Sequence, residues 1–158
     1  MRLYLVQHAE AKSEEEDPER RLNGEGVENV GRVTNALRSA GLDVQVVWHS
    51  GKARARQTAE LLASALIGRP EIVQRDGLAP KDAVAPVRAL IEQSSGDLMI
   101  VGHLPFLGKL AALLLTGDES REIVAFRFAC VVRLDRQADG RWRIVWMLVP
   151  ELCGSAQA

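Results

Sequence analysis

Three short, largely apolar segments, each followed within two residues by a histidine, constrain the fold of this chain more than any other feature. The segments are Leu3–Val6, Val44–Trp48 and Asp97–Val101, and they lead into Gln7-His8, His49-Ser50 and Gly102-His103. Apolar runs of this length are typical of strands buried on both faces of a parallel sheet. If the three strands are parallel neighbours, their carboxyl ends meet at one sheet edge, where open α/β folds bind ligands.

Helical patterns separate the strands. Asn23 is a suitable N-cap for the first helix, and Gly41 is placed to end it. Apolar residues spaced by three and four predict further helices, over about Ala55–Leu66, over Asp82–Gln93 and after Pro105. Three more strands are expected, at Glu71–Gln74, Ile123–Leu134 and Trp142–Val149. Strands that alternate with helices predict a three-layer α/β/α sandwich with a mostly parallel central sheet.

The composition is that of one folded domain of ordinary size. The chain has 158 residues, of which 47% are hydrophobic and 26% charged, so it can bury a sizeable core. We expect a single domain over residues 1–150, followed by a loose tail over residues 151–158. Because the net charge is only −1, neither nucleic acid nor an anionic membrane is expected as a partner.

The cysteines and the N-terminus predict the compartment. Cys130 and Cys153 lie far apart and form no C-x-x-C pair, which fits a reducing environment. The apolar run before Gln7 is too short for a signal peptide, and no run reaches membrane-spanning length. These features predict a cytoplasmic protein.

The predicted sheet edge combines groups that suit an anion. His8 and His103 follow two of the strands, and Arg54 falls in the first turn of the second helix. Helix N-termini at the same edge add partial positive charge and free N–H groups. Two histidines, an arginine and helix ends together describe a pocket for a phosphate group.

Several motifs of this chain are similar to those of the histidine phosphatase superfamily, and most closely to its small SixA-type phosphohistidine phosphatases. The segment Ser50–Ala59 reads S-G-K-A-R-A-R-Q-T-A, which resembles the family's S-P-x-x-R-A-x-Q-T-A with glycine for proline. Gly102-His103-Leu104-Pro105 resembles the second-histidine motif. Arg20, Leu22 and Gly26 match the family's R-P-L-T-x-x-G segment. The resemblance covers nearly the whole chain.

This resemblance implies a phosphoglycerate-mutase-like fold and a phosphatase that needs neither metal nor cofactor. His8 would attack phosphorus and carry it as a phosphohistidine, which water then hydrolyses. Arg54 and a cationic His103 would hold the charge of the transferring oxygens. Gln7, Arg20 and Ser50 are the further candidate phosphate contacts; the choice between Arg20 and Arg21 rests on the motif alone. Ser50 is equally suited to cap the second helix.

This chain departs from the family's pattern at two points, the residue before His8 and the acid expected near the pocket. Gln7 stands where the family carries an arginine that clamps the phosphoryl group, so reduced activity is expected. The acids near the pocket in sequence are Asp76 and Asp82, and we expect both to be turn residues or helix caps. A missing proton donor favours an imidazole leaving group, with an unperturbed pKa of about 6.5, over an alkoxide.

Three functions follow. The preferred hypothesis is a phosphohistidine phosphatase whose partner is a histidine-phosphorylated protein. The first alternative is a phosphomonoesterase for a small phosphorylated metabolite. The second alternative is a binding module that senses phosphate or a phosphoprotein with little or no turnover, which the neutral Gln7 keeps open.

Overall fold

The computed structural model describes residues 1–155. The strands in this range are β1 (Arg2–Gln7), β2 (Val46–His49), β3 (Glu71–Gln74), β4 (Leu98–Gly102), β5 (Val131–Arg136) and β6 (Trp142–Leu148). The helices are α1 (Gly24–Ala40), α2 (Ala53–Ala63), α3 (Ala85–Gln93) and α4 (Phe106–Thr116), with a 3-10 turn at Pro150–Leu152. No helix among these residues is both long enough and apolar enough to cross a membrane.

The strands form one sheet in the order β3-β2-β4-β1-β5-β6. The first four in this order are parallel, β5 runs antiparallel to β1, and β6 runs antiparallel to β5. Gln7 pairs with Gly102 across β1 and β4, and His49 pairs with Val101 across β2 and β4. The three strands predicted to carry the site are therefore parallel neighbours whose carboxyl ends coincide.

Each face of the sheet packs against its own apolar cluster. Leu3 and Leu5 of β1 lie in a cluster with residues of α3 and α4, whereas Tyr4 and Val6 lie in a cluster with residues of α1 and α2. Successive strand residues point to opposite faces, so all four residues Leu3–Val6 of β1 are buried because both faces of the strand are covered. The predicted α/β sandwich with a mostly parallel sheet is confirmed.

The helix ends follow local chemistry. The Asn23 side chain accepts a hydrogen bond from the Gly26 amide and so caps α1, which ends at Gly41 in the left-handed conformation with φ of 63°. Both ends were predicted. Helix α2 ends before the predicted Leu66, because the chain turns to pair the Ile67 amide with the Leu42 carbonyl. Helix α3 starts after the predicted Asp82, whose side chain accepts from the Ala79 amide and closes a turn.

One predicted strand, Ile123–Leu134, is wrong in its first half. Strand β5 begins only at Val131, and the residues before it form an irregular segment. The reason is a turn just before the strand, where Ala129 has a positive φ of 60° and the Cys130 amide donates to the Arg127 carbonyl. This turn brings Phe128 beside the carboxyl end of β1.

The C-terminal tail was expected to be loose from residue 151, but its first residues belong to the 3-10 turn at Pro150–Leu152. This turn packs against α1, and Glu151 pairs with Arg127 at 2.7 Å. Residues 156–158 of the predicted tail lie outside the described residues. The domain limit at residue 150 stays a prediction.

Candidate active site

His8 and His103 meet at the carboxyl edge of the sheet. Their ring centroids are 4.9 Å apart, and the His8 amide donates to the Gly102 carbonyl at 3.0 Å. The two side chains are well buried, with residue exposures of 7% and 1%. Because β1 and β4 are parallel neighbours that end at the same level, residues about a hundred positions apart share one pocket.

The hydrogen bonding of His8 defines its reactive nitrogen. His8 Nδ1 lies 2.7 Å from the Ala9 carbonyl oxygen. A carbonyl only accepts, so Nδ1 carries the proton and Nε2 keeps its lone pair. The pKa of His8 is lowered to about 4, mainly by burial and to a smaller extent by the charges of Arg54 and Arg20, against the raising effect of the bond to Ala9. His8 is therefore a neutral imidazole at pH 7, with Nε2 free to act as a nucleophile.

His103 is held by Ser50. The distance from Ser50 Oγ to His103 Nε2 is 2.6 Å, whereas Nδ1 is buried and has no hydrogen-bond partner among residues 1–155. The pKa of His103 is lowered to about 3, mainly by burial. Repulsion from His8, and then from Arg54, Lys52 and Arg20, acts in the same direction. The expectation of a cationic His103 is therefore wrong for the empty site, because a buried imidazole beside other cations stays neutral.

Ser50 does not cap the second helix. Helix α2 is preceded by Lys52, and no side chain caps its first turn. The hydroxyl of Ser50 lies 3.4 Å from the Lys52 amide, a long contact, and makes its short bond to His103 instead. Its predicted contact with phosphate stays a prediction.

Arg54 and Arg20 supply positive charge to the pocket. Arg54 lies in the first turn of α2, and its Nε is buried without a partner in the described part of the chain. Burial and the charge of Arg20 lower the pKa of Arg54. Arg20 adopts a positive φ of 51° and donates from Nε to the Lys12 carbonyl at 3.2 Å. Its charge also lowers the pKa of both His8 and His103, which places it at the site.

Arg21, the competing choice, is held elsewhere. Its Nε donates to the buried carboxylate of Asp17 at 2.8 Å, and this bond is the main reason that the pKa of Asp17 falls to about 2. Asp17 also accepts from the backbone amides of Glu19 and Arg21. Although it lies in a strongly acidic loop, Asp17 is buried and organises the turn that presents Arg20.

Two side chains of the motif segment connect the parts of the site. Thr58 Oγ1 accepts from the Ala9 amide at 3.1 Å and donates to the Arg54 carbonyl at 2.8 Å. Gln57 Oε1 accepts from the Leu22 amide at 2.8 Å. Thr58 thus links the helix of Arg54 to the residue after His8, and Gln57 links the same helix to the loop of Arg20.

Gln7 is the last residue of β1 and is 6% exposed. Its backbone carbonyl accepts from the Ala129 amide at 3.1 Å. Its side-chain Oε1 is buried and finds no hydrogen-bond partner in the range 1–155. A neutral amide with an unused acceptor therefore precedes the nucleophile, and the positive charge of the pocket comes from other residues.

The candidate acids are placed as expected. Asp82 Oδ2 accepts from the Ala79 amide at 2.8 Å, and Asp76 is exposed after β3. No carboxylate of the described residues is among the charges that shift the pKa of His8 or His103. No group of three or more histidine, cysteine or carboxylate side chains within residues 1–155 is placed to hold a metal ion.

Sequence reasoning missed two residues at this site. Lys52, whose charge lowers the pKa of His103, stands just before α2 in the segment S-G-K-A-R. Its position at the start of a helix that was predicted to face the site could have indicated that it lies there. Phe128 packs its ring 5.5 Å from that of His8. It had no signal, because it lies in the segment taken for a strand.

A buried, neutral histidine at the carboxyl end of β1, with a second histidine beside it on β4, is placed on a sheet of this topology as in a known class of α/β proteins. The family model of the histidine phosphatase superfamily (branch 1) matches residues 3–83. An uncharacterized protein of Picosynechococcus sp. is 33% identical over 131 residues, which cover 78% of each chain. The chain belongs to the histidine phosphatase superfamily.

Solved structures share the fold over nearly the whole chain. The protein histidine phosphatase SixA complexed with tungstate superposes with a TM-score of 0.81 at 22% identity, covering 95% of this chain and 97% of that one. Phosphoserine phosphatase from Entamoeba histolytica gives 0.70 at 13% identity, with coverage of 92% and 95%. Phosphoglycerate mutase from Bacillus anthracis gives 0.70 at 14%, with 91% of each chain covered. The phosphoglycerate-mutase-like fold is confirmed.

Proposed function

We propose that this protein is a metal-independent phosphatase in which His8 removes the phosphoryl group from phosphohistidine on a protein, in the manner of the SixA-type branch. The observation that carries the proposal is the bond from His8 Nδ1 to the Ala9 carbonyl at 2.7 Å. This bond fixes the ring and leaves Nε2 unprotonated beside Arg54 and Arg20, whose charges act on it. A neutral nucleophile next to fixed positive charge is what attack on an anionic phosphoryl group requires.

The reaction has two displacements at phosphorus. In the first, Nε2 of His8 forms a bond to phosphorus while the P–N bond to the substrate imidazole breaks, and the leaving nitrogen takes up a proton. In the second, water attacks phosphorus, inorganic phosphate leaves, and His8 is regenerated. Arg54, Arg20 and Lys52 offset the charge of the transferring oxygens. The anion also favours the protonated form of His103, which then donates a hydrogen bond.

The leaving group decides the substrate class. An imidazole departs once it is protonated, whereas an alkoxide needs a strong proton donor in the site. Because Asp82 serves a turn and Asp76 is exposed, neither is placed as that donor. The structural similarity to the protein histidine phosphatase SixA supports the same substrate class. A cytoplasmic phosphoprotein is therefore the proposed partner.

Two alternatives rest on specific observations. The likeness to phosphoserine phosphatase keeps a small phosphorylated metabolite open as the substrate. The unpartnered amide of Gln7 keeps open a module that binds phosphate with little turnover. Phosphate release from a phosphohistidine peptide, an aryl phosphate and a sugar phosphate separates the three functions. We expect the rate of phosphate release to fall in that order. A preference for the sugar phosphate would support the phosphomonoesterase that acts on a small metabolite.

The nucleophile is tested by trapping. The chain has three histidines, and quenched turnover should leave acid-labile phosphate on His8 alone. His8→Ala should abolish release; release at the wild-type rate would refute the covalent route. Arg54→Ala should lower kcat/KM by about a hundredfold or more. The matched control is Arg56→Ala, because Arg56 lies on the exposed side of the same helix with only a 3.9 Å contact to Glu60.

A further inference from the structure

An exposed aromatic side chain lies directly against the nucleophile. The ring of Phe128 is 5.5 Å from that of His8, at an interplanar angle of 48°, and Phe128 is 44% exposed. Leu104, which directly follows His103, is 37% exposed. Each of the two histidines therefore has an exposed apolar side chain beside it, although the pocket between them is polar and cationic.

The backbone fixes Phe128 in this place. The amide of the next residue, Ala129, lies 3.1 Å from the Gln7 carbonyl and 3.3 Å from the His8 carbonyl. The residue before it, Arg127, forms a 2.7 Å ion pair with Glu151. Because the turn is tied to the end of β1 on one side and to the 3-10 turn on the other, the aromatic ring keeps a set position relative to His8.

There is room for a ligand next to this ring. Phe128 borders a cavity of about 420 Å³, whose other walls come from Glu10, the first half of α1 and the turn at Pro150–Glu151. Cavities of this size are within the range used for small organic ligands, which is roughly 300–1,000 Å³. The walls carry both charges, since the carboxylates of Glu10, Glu25 and Glu151 stand against two arginines, Arg32 and Arg127, and so do not select a highly charged anion.

We propose that Phe128 and Leu104 form an apolar rim that receives the leaving group of the substrate, a planar imidazole, with the adjoining polypeptide in the cavity beside Phe128. This inference rests on the proposed function. In an in-line displacement the leaving group departs on the side of phosphorus away from Nε2. An aromatic ring at the rim gives a planar group a stacking partner, whereas a sugar would have to bury hydroxyls there.

Two phosphoryl donors with the same scissile bond test the rim. A phosphohistidine peptide and phosphoramidate both transfer phosphorus from nitrogen, but the second has neither ring nor polypeptide. We expect Phe128→Ala to lower kcat/KM for the peptide by about tenfold, within the value of an aromatic pair, and to leave the phosphoramidate value nearly unchanged. Phe128→Tyr should retain peptide activity, and Leu104→Ala should show a smaller, equally selective loss.

The control is Ile123→Ala, which removes an exposed apolar side chain from the same segment and should affect neither donor. Equal losses for both donors in Phe128→Ala and Phe128→Leu would show that the ring only positions His8, and would overturn the rim alone. Unchanged peptide kinetics in these variants would overturn it too. If the wild-type protein turns over neither donor and forms no phosphoenzyme, the proposed function fails and the rim fails with it.

Discussion

Ser50 Oγ lies 2.6 Å from His103 Nε2, so the hydroxyl that follows β2 is bonded to the imidazole that follows β4. The bond joins two neighbouring strand ends at the mouth of the pocket. The other ring nitrogen of His103, Nδ1, is buried and has no hydrogen-bond partner among the residues described. The charged groups around this imidazole are cations. We therefore expect His103, which is neutral in the empty site, to gain a proton when an anion binds.

Anion binding should therefore take up a proton. The pKa of His103 is about 3 in the empty site, and a dianion beside it raises that pKa. Sulfate is a dianion at pH 5.5. Calorimetric titration with sulfate at this pH, in two buffers of different ionisation enthalpy, therefore measures the number of protons taken up on binding. Because the anion also raises the pKa of His8, we expect uptake in the wild-type protein, less uptake in His103→Asn, and none in the double variant His8→Asn/His103→Asn. Equal heats in the two buffers for the wild-type protein would contradict this mechanism.

The same two histidines should make the fold sensitive to mild acid. Their pKa values, about 4 and about 3, lie below the unfolded value of about 6.5, so the unfolded chain binds more protons between these limits. The free energy of unfolding should therefore fall as the pH falls from 6.5 towards 4, by on the order of 2–3 kcal/mol for His8 alone.

Urea unfolding at pH 7 and at pH 4.5 measures this loss. The double variant His8→Asn/His103→Asn should lose clearly less stability over this interval. Some loss should remain, because the variant still contains His49, whose pKa is also lowered by burial. An unchanged pH dependence in that variant would mean that the two histidines are not responsible. Asp17, with a pKa of about 2, contributes only at lower pH.

Removing the hydroxyl of Thr58 should damage both stability and activity. Its Oγ1 accepts a hydrogen bond from the Ala9 amide and donates one to the Arg54 carbonyl. We expect Thr58→Val to lower the free energy of unfolding by about 1–3 kcal/mol, and to lower kcat/KM because His8 and Arg54 are no longer linked. Thr116→Val removes a similar bond, to the Ala112 carbonyl in α4, and should leave activity unchanged. Wild-type kinetics in Thr58→Val would show that the link is dispensable.

Gln7→Arg should raise activity. Arginine brings a fixed positive charge and two parallel donors, whereas glutamine offers one neutral amide. A hydrogen bond to a charged group is worth roughly 1.5–3 kcal/mol, so the family arginine corresponds to about ten- to a hundredfold in rate. We expect a rise of at least severalfold in kcat/KM with tighter inhibition by phosphate. A folded Gln7→Arg protein with equal or lower activity would indicate a pocket rebuilt around glutamine, for a less charged ligand.

The strand ends and their histidines were predictable because the evidence for them is local. Apolar runs that stop at Gln7-His8 and Gly102-His103 predict buried strands, and parallel pairing then brings their ends together. The caps at Asn23 and Gly41 were predictable for the same reason, since a side-chain acceptor and a left-handed residue act within one turn. The motif segment Ser50–Ala59 indicated the family from the amino-acid sequence alone.

Tertiary contacts decided the rest. The choice of Arg20 over Arg21 depends on Asp17, which folds back to bind one of two adjacent arginines. Phe128 reaches His8 because Ala129 adopts a left-handed turn and hydrogen-bonds the end of β1, although the apolar residues around it read as a strand. The protonation states of His8 and His103 depend on burial and on charges brought from distant segments. Residue types and their spacing determine which groups are available, but desolvation and long-range contacts determine the charge that each group carries.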